Sequence, residues 1–75
     1  MNNLAIDRVS IESSSLASVG YHRGMELLEV EFKSGALYRY ENVPGHLYDE
    51  LLSAESKGAF FNTCIRNFFR FLRAG

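Results

Sequence analysis

The stretch at residues 27–40, LLEVEFKSGALYRY, constrains this chain more than any other. Val30 and Phe32 alternate with Glu29 and Glu31 before a Lys33-Ser34-Gly35 break, and Tyr38 and Tyr40 flank Arg39 after it. Period-2 alternation on both sides of a short break predicts a β-hairpin. A two-residue loop of Ser34 and Gly35 sets Val30 opposite Arg39 and puts a guanidinium in an apolar row. A three-residue loop, with Gly35 at the positive-φ position, sets Phe32 opposite Ala36, Val30 opposite Tyr38 and Leu28 opposite Tyr40. One face is then wholly apolar, and the other pairs Glu29 with Arg39. A one-residue slip scrambles both faces, so the longer loop is the predicted register.

The rest of the chain supplies neighbours for this hairpin. Residues 1 to about 8 have little to anchor them and are expected to fray. Val9 and Ile11 alternate with Ser10 and Glu12, as in a short strand or an extended lead-in, until Ser13-Ser14-Ser15 breaks the pattern. Ala17, Val19 and Tyr21 recur at period 2, so residues 16–21 form a strand, with Gly20 marking a bulge or a close backbone approach. His22-Arg23-Gly24 is the turn into the hairpin. Pro44 suits a first helical position, and Val43, Leu47, Tyr48, Leu51 and Leu52 repeat at helical spacing while His46, Asp49, Glu50 and Ser53 take the polar side. Ser56 is the N-cap of a second helix, whose apolar stripe is Phe60, Phe61, Cys64, Ile65 and Phe68. The end, residues 67–73, reads either as continued helix or as an extended tail along a sheet edge or partner. The predicted architecture is one α+β domain over residues 9–75: a three-stranded antiparallel meander followed by two C-terminal helices packed on one face.

Seventy-five residues make a single domain near the lower limit for folding without metal or disulfides, and ten Phe or Tyr rings can fill its core. One cysteine excludes an intramolecular disulfide framework. No apolar run approaches the roughly 20 residues of a membrane span, and the N-terminus lacks signal-peptide character, so a cytoplasmic protein is expected. Charge is uneven. Up to Glu55 there are nine acidic and four basic residues; beyond it stand Lys57, Arg66, Arg70 and Arg73 with no acid. Such asymmetry marks either a polyanion-binding end or cations complementing the C-terminal turn of a helix.

Catalytic and metal chemistry find little support. His22, His46 and Cys64 lack the paired spacing of zinc ligands, a lone cysteine in an apolar stripe reads as core, and Ser14-Ser15 has no glycine-rich cradle behind it. Those serines are expected to hydrogen-bond local backbone at a strand start. Ser56-Lys57-Gly58 opens a helix with free N–H groups beside a cation, which suits an anion or, equally, tight helix packing at Gly58. Tyr38 and Tyr40 can stack on bases, but the register sets them beneath the helices as core residues.

Ser14-Ser15, Val19-Gly20-Tyr21, Tyr38-Arg39-Tyr40, Val43-Pro44, Ala54-Glu55-Ser56-Lys57-Gly58, Phe61-Asn62 and Ile65-Arg66 stand in an order and spacing that resembles the KTSC domain family. The resemblance covers nearly everything from Ser14 onward and departs after Arg66, where the family's Tyr-Pro-containing basic end is replaced by Asn67-Phe68-Phe69-Arg70-Phe71. The family is named for an extension of some lysyl-tRNA synthetases and occurs as short bacterial and phage proteins. That context implies RNA binding. The expectation is a non-enzymatic module without cofactor or metal, binding RNA or another nucleic acid through Lys57, Arg66, Arg70, Arg73 and Arg39. The alternative is a protein-interaction or self-association module using Phe68, Phe69 and Phe71.

Overall fold

A computed structural model describes residues 5–75. Part of the expected N-terminal fraying, residues 1–4, lies outside the described residues, and Arg8 already opens the first strand. The elements run β1 (Arg8–Ser10), β2 (Leu16–His22), β3 (Leu27–Phe32), β4 (Leu37–Tyr40), α1 (Gly45–Ser53), α2 (Lys57–Cys64) and β5 (Phe71–Arg73). Neighbouring strands are antiparallel, in the order β1-β2-β3-β4-β5.

The central hairpin takes the three-residue-loop register. Leu28 faces Tyr40, Glu29 faces Arg39 and Val30 faces Tyr38. The Phe32 N–H donates to the Ala36 carbonyl at 2.9 Å, and Gly35 has φ 99°, where a side chain would be strained. On β2, the bulge falls between Leu16 and Ser18, whereas Gly20 marks a close approach: a Cβ there would lie 2.3 Å from the Asp7 carbonyl oxygen.

The α+β class holds, but among the described residues the sheet has five strands instead of three. β1 is the short strand that the alternation at Val9 and Ile11 allows, and β5 is the extended tail along a sheet edge, one of the two readings of residues 67–73. Each is three residues long and pairs with a neighbouring strand. The helices therefore sit between β4 and β5 instead of ending the chain. Pro44 is the N-cap of α1, one residue before the expected place: its ψ of 144° is extended while its carbonyl already accepts from Leu47 N–H at 3.0 Å. Ser56 caps α2 as expected, its hydroxyl oxygen accepting from Ala59 N–H at 3.2 Å.

Val19, Leu28, Val30 and Tyr40 form the buried sheet face, closed by Leu51 of α1, Phe61 of α2 and Ile65 just beyond it. The apolar stripe of α2 was expected to run on to Phe68, but the helix ends at Cys64 and Phe68 is 67% exposed. The chain has to reverse there so that β5 can return along β4, and Phe68 leaves the helical phase. Among the described residues, no helix is long and apolar enough to cross a membrane.

Candidate functional site

Where the β3–β4 turn meets the exit of α2, a groove of about 390 Å³ opens between Ser15, Phe32, Lys33, Ser34, Ala36, Tyr38 and Arg66. The turn raises Lys33, whose own N–H is tied to the Ser15 carbonyl at 2.8 Å. The chain after α2 brings Arg66 to the same groove, where Nη1 donates to Asn62 Oδ1 at 3.3 Å. Ala36 faces Phe32 across the hairpin and is too small to cover it, so the ring stays partly open.

The aromatic walls belong to a closed circuit. Phe32 meets Tyr38 edge-on at 5.7 Å, Tyr38 meets Phe71 at 5.4 Å, and Phe71 meets Tyr40 at 5.3 Å. Tyr40 then meets Phe61 at 5.3 Å, and Phe61 returns to Phe32 at 5.7 Å. Each contact orients the next ring and limits its freedom to rotate. Arg73, directly opposite Tyr38 on β5, lies over the Tyr38 ring at 5.9 Å from the centroid. Burial pushes the Tyr40 hydroxyl above its ordinary pKa, and the positive charge of Arg66 partly offsets that rise.

The five candidate cations do not form one surface. Arg66 lines the groove, and Arg73 flanks it through Tyr38. Lys57 lies in a second cleft, where Nζ donates to the Ala54 carbonyl at 3.0 Å. Arg70 is exposed ahead of β5, its carbonyl accepting from Glu41 N–H at 2.8 Å. Arg39 points from the other face of the sheet, where its Nε donates to Glu29 Oε1 at 2.6 Å and Arg8 pairs with the second carboxylate oxygen. Arg8 also donates to Ser18 Oγ, which donates to Glu31, so that face is a polar network already satisfied by its own charges.

The second cleft, about 430 Å³, lies between the serine loop and the start of α2. It holds Lys57 but also Glu12 and Glu55, two carboxylates that oppose an anion. The local backbone bonding expected of Ser14 and Ser15 is performed by Ser13, whose hydroxyl oxygen accepts from the N–H groups of Ser15 and Leu16. A Cβ on Gly58 would lie 3.2 Å from Ser13 Oγ, so Gly58 serves close packing. His22 Nδ1 accepts from Met25 N–H and His46 pairs with Glu50, and no group of three or more potential metal ligands occurs among the described residues.

Of the aromatic candidates, Phe69 packs against the core, whereas Phe68 and Phe71 (54% exposed) present rings to solvent. Sequence reasoning missed Lys33, Phe32 and Tyr38 as groove residues. The signal was present in the hairpin register, which sets Phe32 opposite a residue too small to cover it. That Arg66 lines the same groove is a tertiary fact.

The family model described as the KTSC domain matches residues 12–71. An uncharacterized protein of Stutzerimonas stutzeri is 56% identical over 55 residues, covering 73% of this chain and 78% of that protein. A lysine–tRNA ligase of Nostoc punctiforme is 34% identical over 68 residues, covering 91% of this chain but 12% of the ligase. The crystal structure of a KTSC domain protein from Yersinia pestis superposes with a TM-score of 0.91 at 34% identity, covering 95% of this chain and all of that one. The chain belongs to the KTSC domain family.

Proposed function

We propose that this chain is a small non-enzymatic binding module of the cytoplasm that takes single-stranded RNA in the groove between Lys33 and Arg66. The observation that carries this reading is that one groove is lined by two cations, Lys33 and Arg66, together with the partly open rings of Phe32 and Tyr38. A phosphate suits the cations and a base suits the ring faces, which is the combination by which single strands are held without sequence preference. Similarity to a segment of lysine–tRNA ligases adds support, since those enzymes act on tRNA. Arg73 extends the cationic wall, whereas Lys57 and Arg39 fall outside it.

Fluorescence anisotropy with a short labelled single-stranded RNA tests the reading. Affinity should fall with salt at a log–log slope of about −0.7 per phosphate neutralised. Lys33→Ala with Arg66→Ala should flatten that slope, Lys57→Ala should leave it unchanged, and Tyr38→Leu should lose about 1–3 kcal/mol of stacking per base. Absence of salt-dependent binding at low ionic strength, or a slope indifferent to Lys33 and Arg66, overturns it.

A protein-interaction or self-association module is the competing reading. Its support is the exposure of Phe68 and of Phe71, the first residue of the short edge strand β5.

A further inference from the structure

The free edge of β5 is self-complementary, and we propose that it pairs antiparallel with β5 of a second copy about a two-fold axis through Leu72, joining two sheets into one. The proposal rests on the self-association reading and gives it a register; Arg73, which flanks the groove through Tyr38, is shared by both readings. Glu41 N–H donates to the Arg70 carbonyl at 2.8 Å, and Ala74 N–H donates to the Leu37 carbonyl at 2.6 Å. Backbone groups of alternate residues point to opposite sides of a strand. Arg70, Leu72 and Ala74 therefore turn their peptide groups toward β4, with Leu72 facing Arg39. Phe71 and Arg73 turn theirs outward, where no further strand follows in the sheet among the described residues.

Two outward residues flanking one inward residue form a palindromic edge. In an antiparallel two-fold pair, Phe71 meets Arg73 of the second copy and Arg73 meets Phe71, giving four backbone hydrogen bonds. The guanidinium of Arg73 and the Phe71 ring then face each other twice, a favourable cation–aromatic match. Leu72, 51% exposed, meets Leu72 of the second copy on the other face. Edge strands are commonly blunted by charged side chains, proline or a covering segment; Phe71-Leu72-Arg73 carries no proline, and its one charge, Arg73, faces Phe71 in this pairing. A three-residue edge buries less than the roughly 800 Å² per partner of a standard interface, so association is weak and concentration-dependent.

Leu72 and its copy form a non-hydrogen-bonded pair, with Cα atoms about 4.5 Å apart, inside the range a disulfide spans. Leu72→Cys should therefore cross-link into a dimer under mild oxidation, while Phe71→Cys, Arg73→Cys and the wild type with Cys64 alone should not. Sedimentation equilibrium should show a wild-type dimer that weakens at least tenfold in Arg73→Pro. That change removes one outward N–H without touching the bonds to β4, and unchanged circular dichroism confirms the fold. A chain monomeric at every concentration, with Leu72→Cys staying reduced, overturns both the proposal and the self-association reading. A dimer that persists in Arg73→Pro, or that cross-links through position 71 or 73, overturns the edge pairing alone.

Discussion

Glu29 stands on the polar face of the sheet yet is only 2% exposed, and Arg39, directly across the β3–β4 ladder, donates from Nε to its Oε1 at 2.6 Å. A carboxylate removed from water is tolerable only with its oxygens satisfied, and Arg39 and Arg8 take one each.

Removing one of these partners leaves a buried charge half-compensated. Arg39→Ala should cost on the order of 3 kcal/mol in urea denaturation, at the low end for a broken buried pair because Arg8 remains. The exposed Arg23–Asp49 pair, at 2.7 Å, makes the contrast. Arg23→Ala should leave the midpoint unchanged, because water replaces what is lost. Equal effects at the two positions would show Glu29 to be solvated in solution.

The two tyrosines of the hairpin should separate stability from binding. Tyr40 is 2% exposed, in contact with Phe61 and Phe71, and Tyr40→Ala should cost about 3 kcal/mol or more, as aromatic core truncations do. Tyr38 is half-buried at the groove, so Tyr38→Ala should cost less stability and more RNA affinity. Chemical denaturation and anisotropy on the same two variants decide it. A reversed order would move the recognition surface away from the groove.

Gly20 is required by the backbone beside it. A Cβ would lie 2.3 Å from the Asp7 carbonyl oxygen and 2.9 Å from Ile6 Cγ2, so Gly20→Ala has to displace the segment leading into β1. The expected cost is about 1–3 kcal/mol, the range for overpacking. Hydrogen exchange should accelerate in β1 while the β3–β4 ladder stays protected. Unchanged protection in β1 would mean that the segment packs elsewhere in solution.

Alkaline pH should destabilise the protein through its phenols. Burial raises the hydroxyl pKa of Tyr21, Tyr40 and Tyr48 above the usual tyrosine value. A group whose folded pKa is raised contributes stability that is fully present below its unfolded pKa, about 10 for tyrosine, and lost as pH rises through the folded value. The urea midpoint should therefore hold constant through neutral pH and fall above about pH 10. Because the Arg66 charge opposes the rise at Tyr40, Arg66→Ala should shift phenolate absorbance to still higher pH. No shift would place Arg66 away from the Tyr40 ring.

The central hairpin was legible from residues 27–40 because its information is local. Alternation at period 2, a glycine able to take φ 99°, and the requirement that one face be wholly apolar leave a single register. The Ser56 cap was legible for the same reason, since donor and acceptor lie three residues apart. The family too could be recognised from the order of short motifs. Tertiary structure decided the edges. The alternation at Val9 and Ile11 leaves strand and extended lead-in open, and residues 67–73 read equally as helix or extended tail; pairing with β2 and β4 selects the strand in both cases. That pairing also ended α2 at Cys64 and turned Phe68 out to solvent. It separated the cations as well. Lys57 and Arg66 lie close in sequence but line different clefts, whereas Lys33, distant from Arg66 along the chain, lines the same groove. Charge asymmetry along a sequence records how many cations there are; only the packing of a helix exit against a hairpin turn determines which of them act on one ligand.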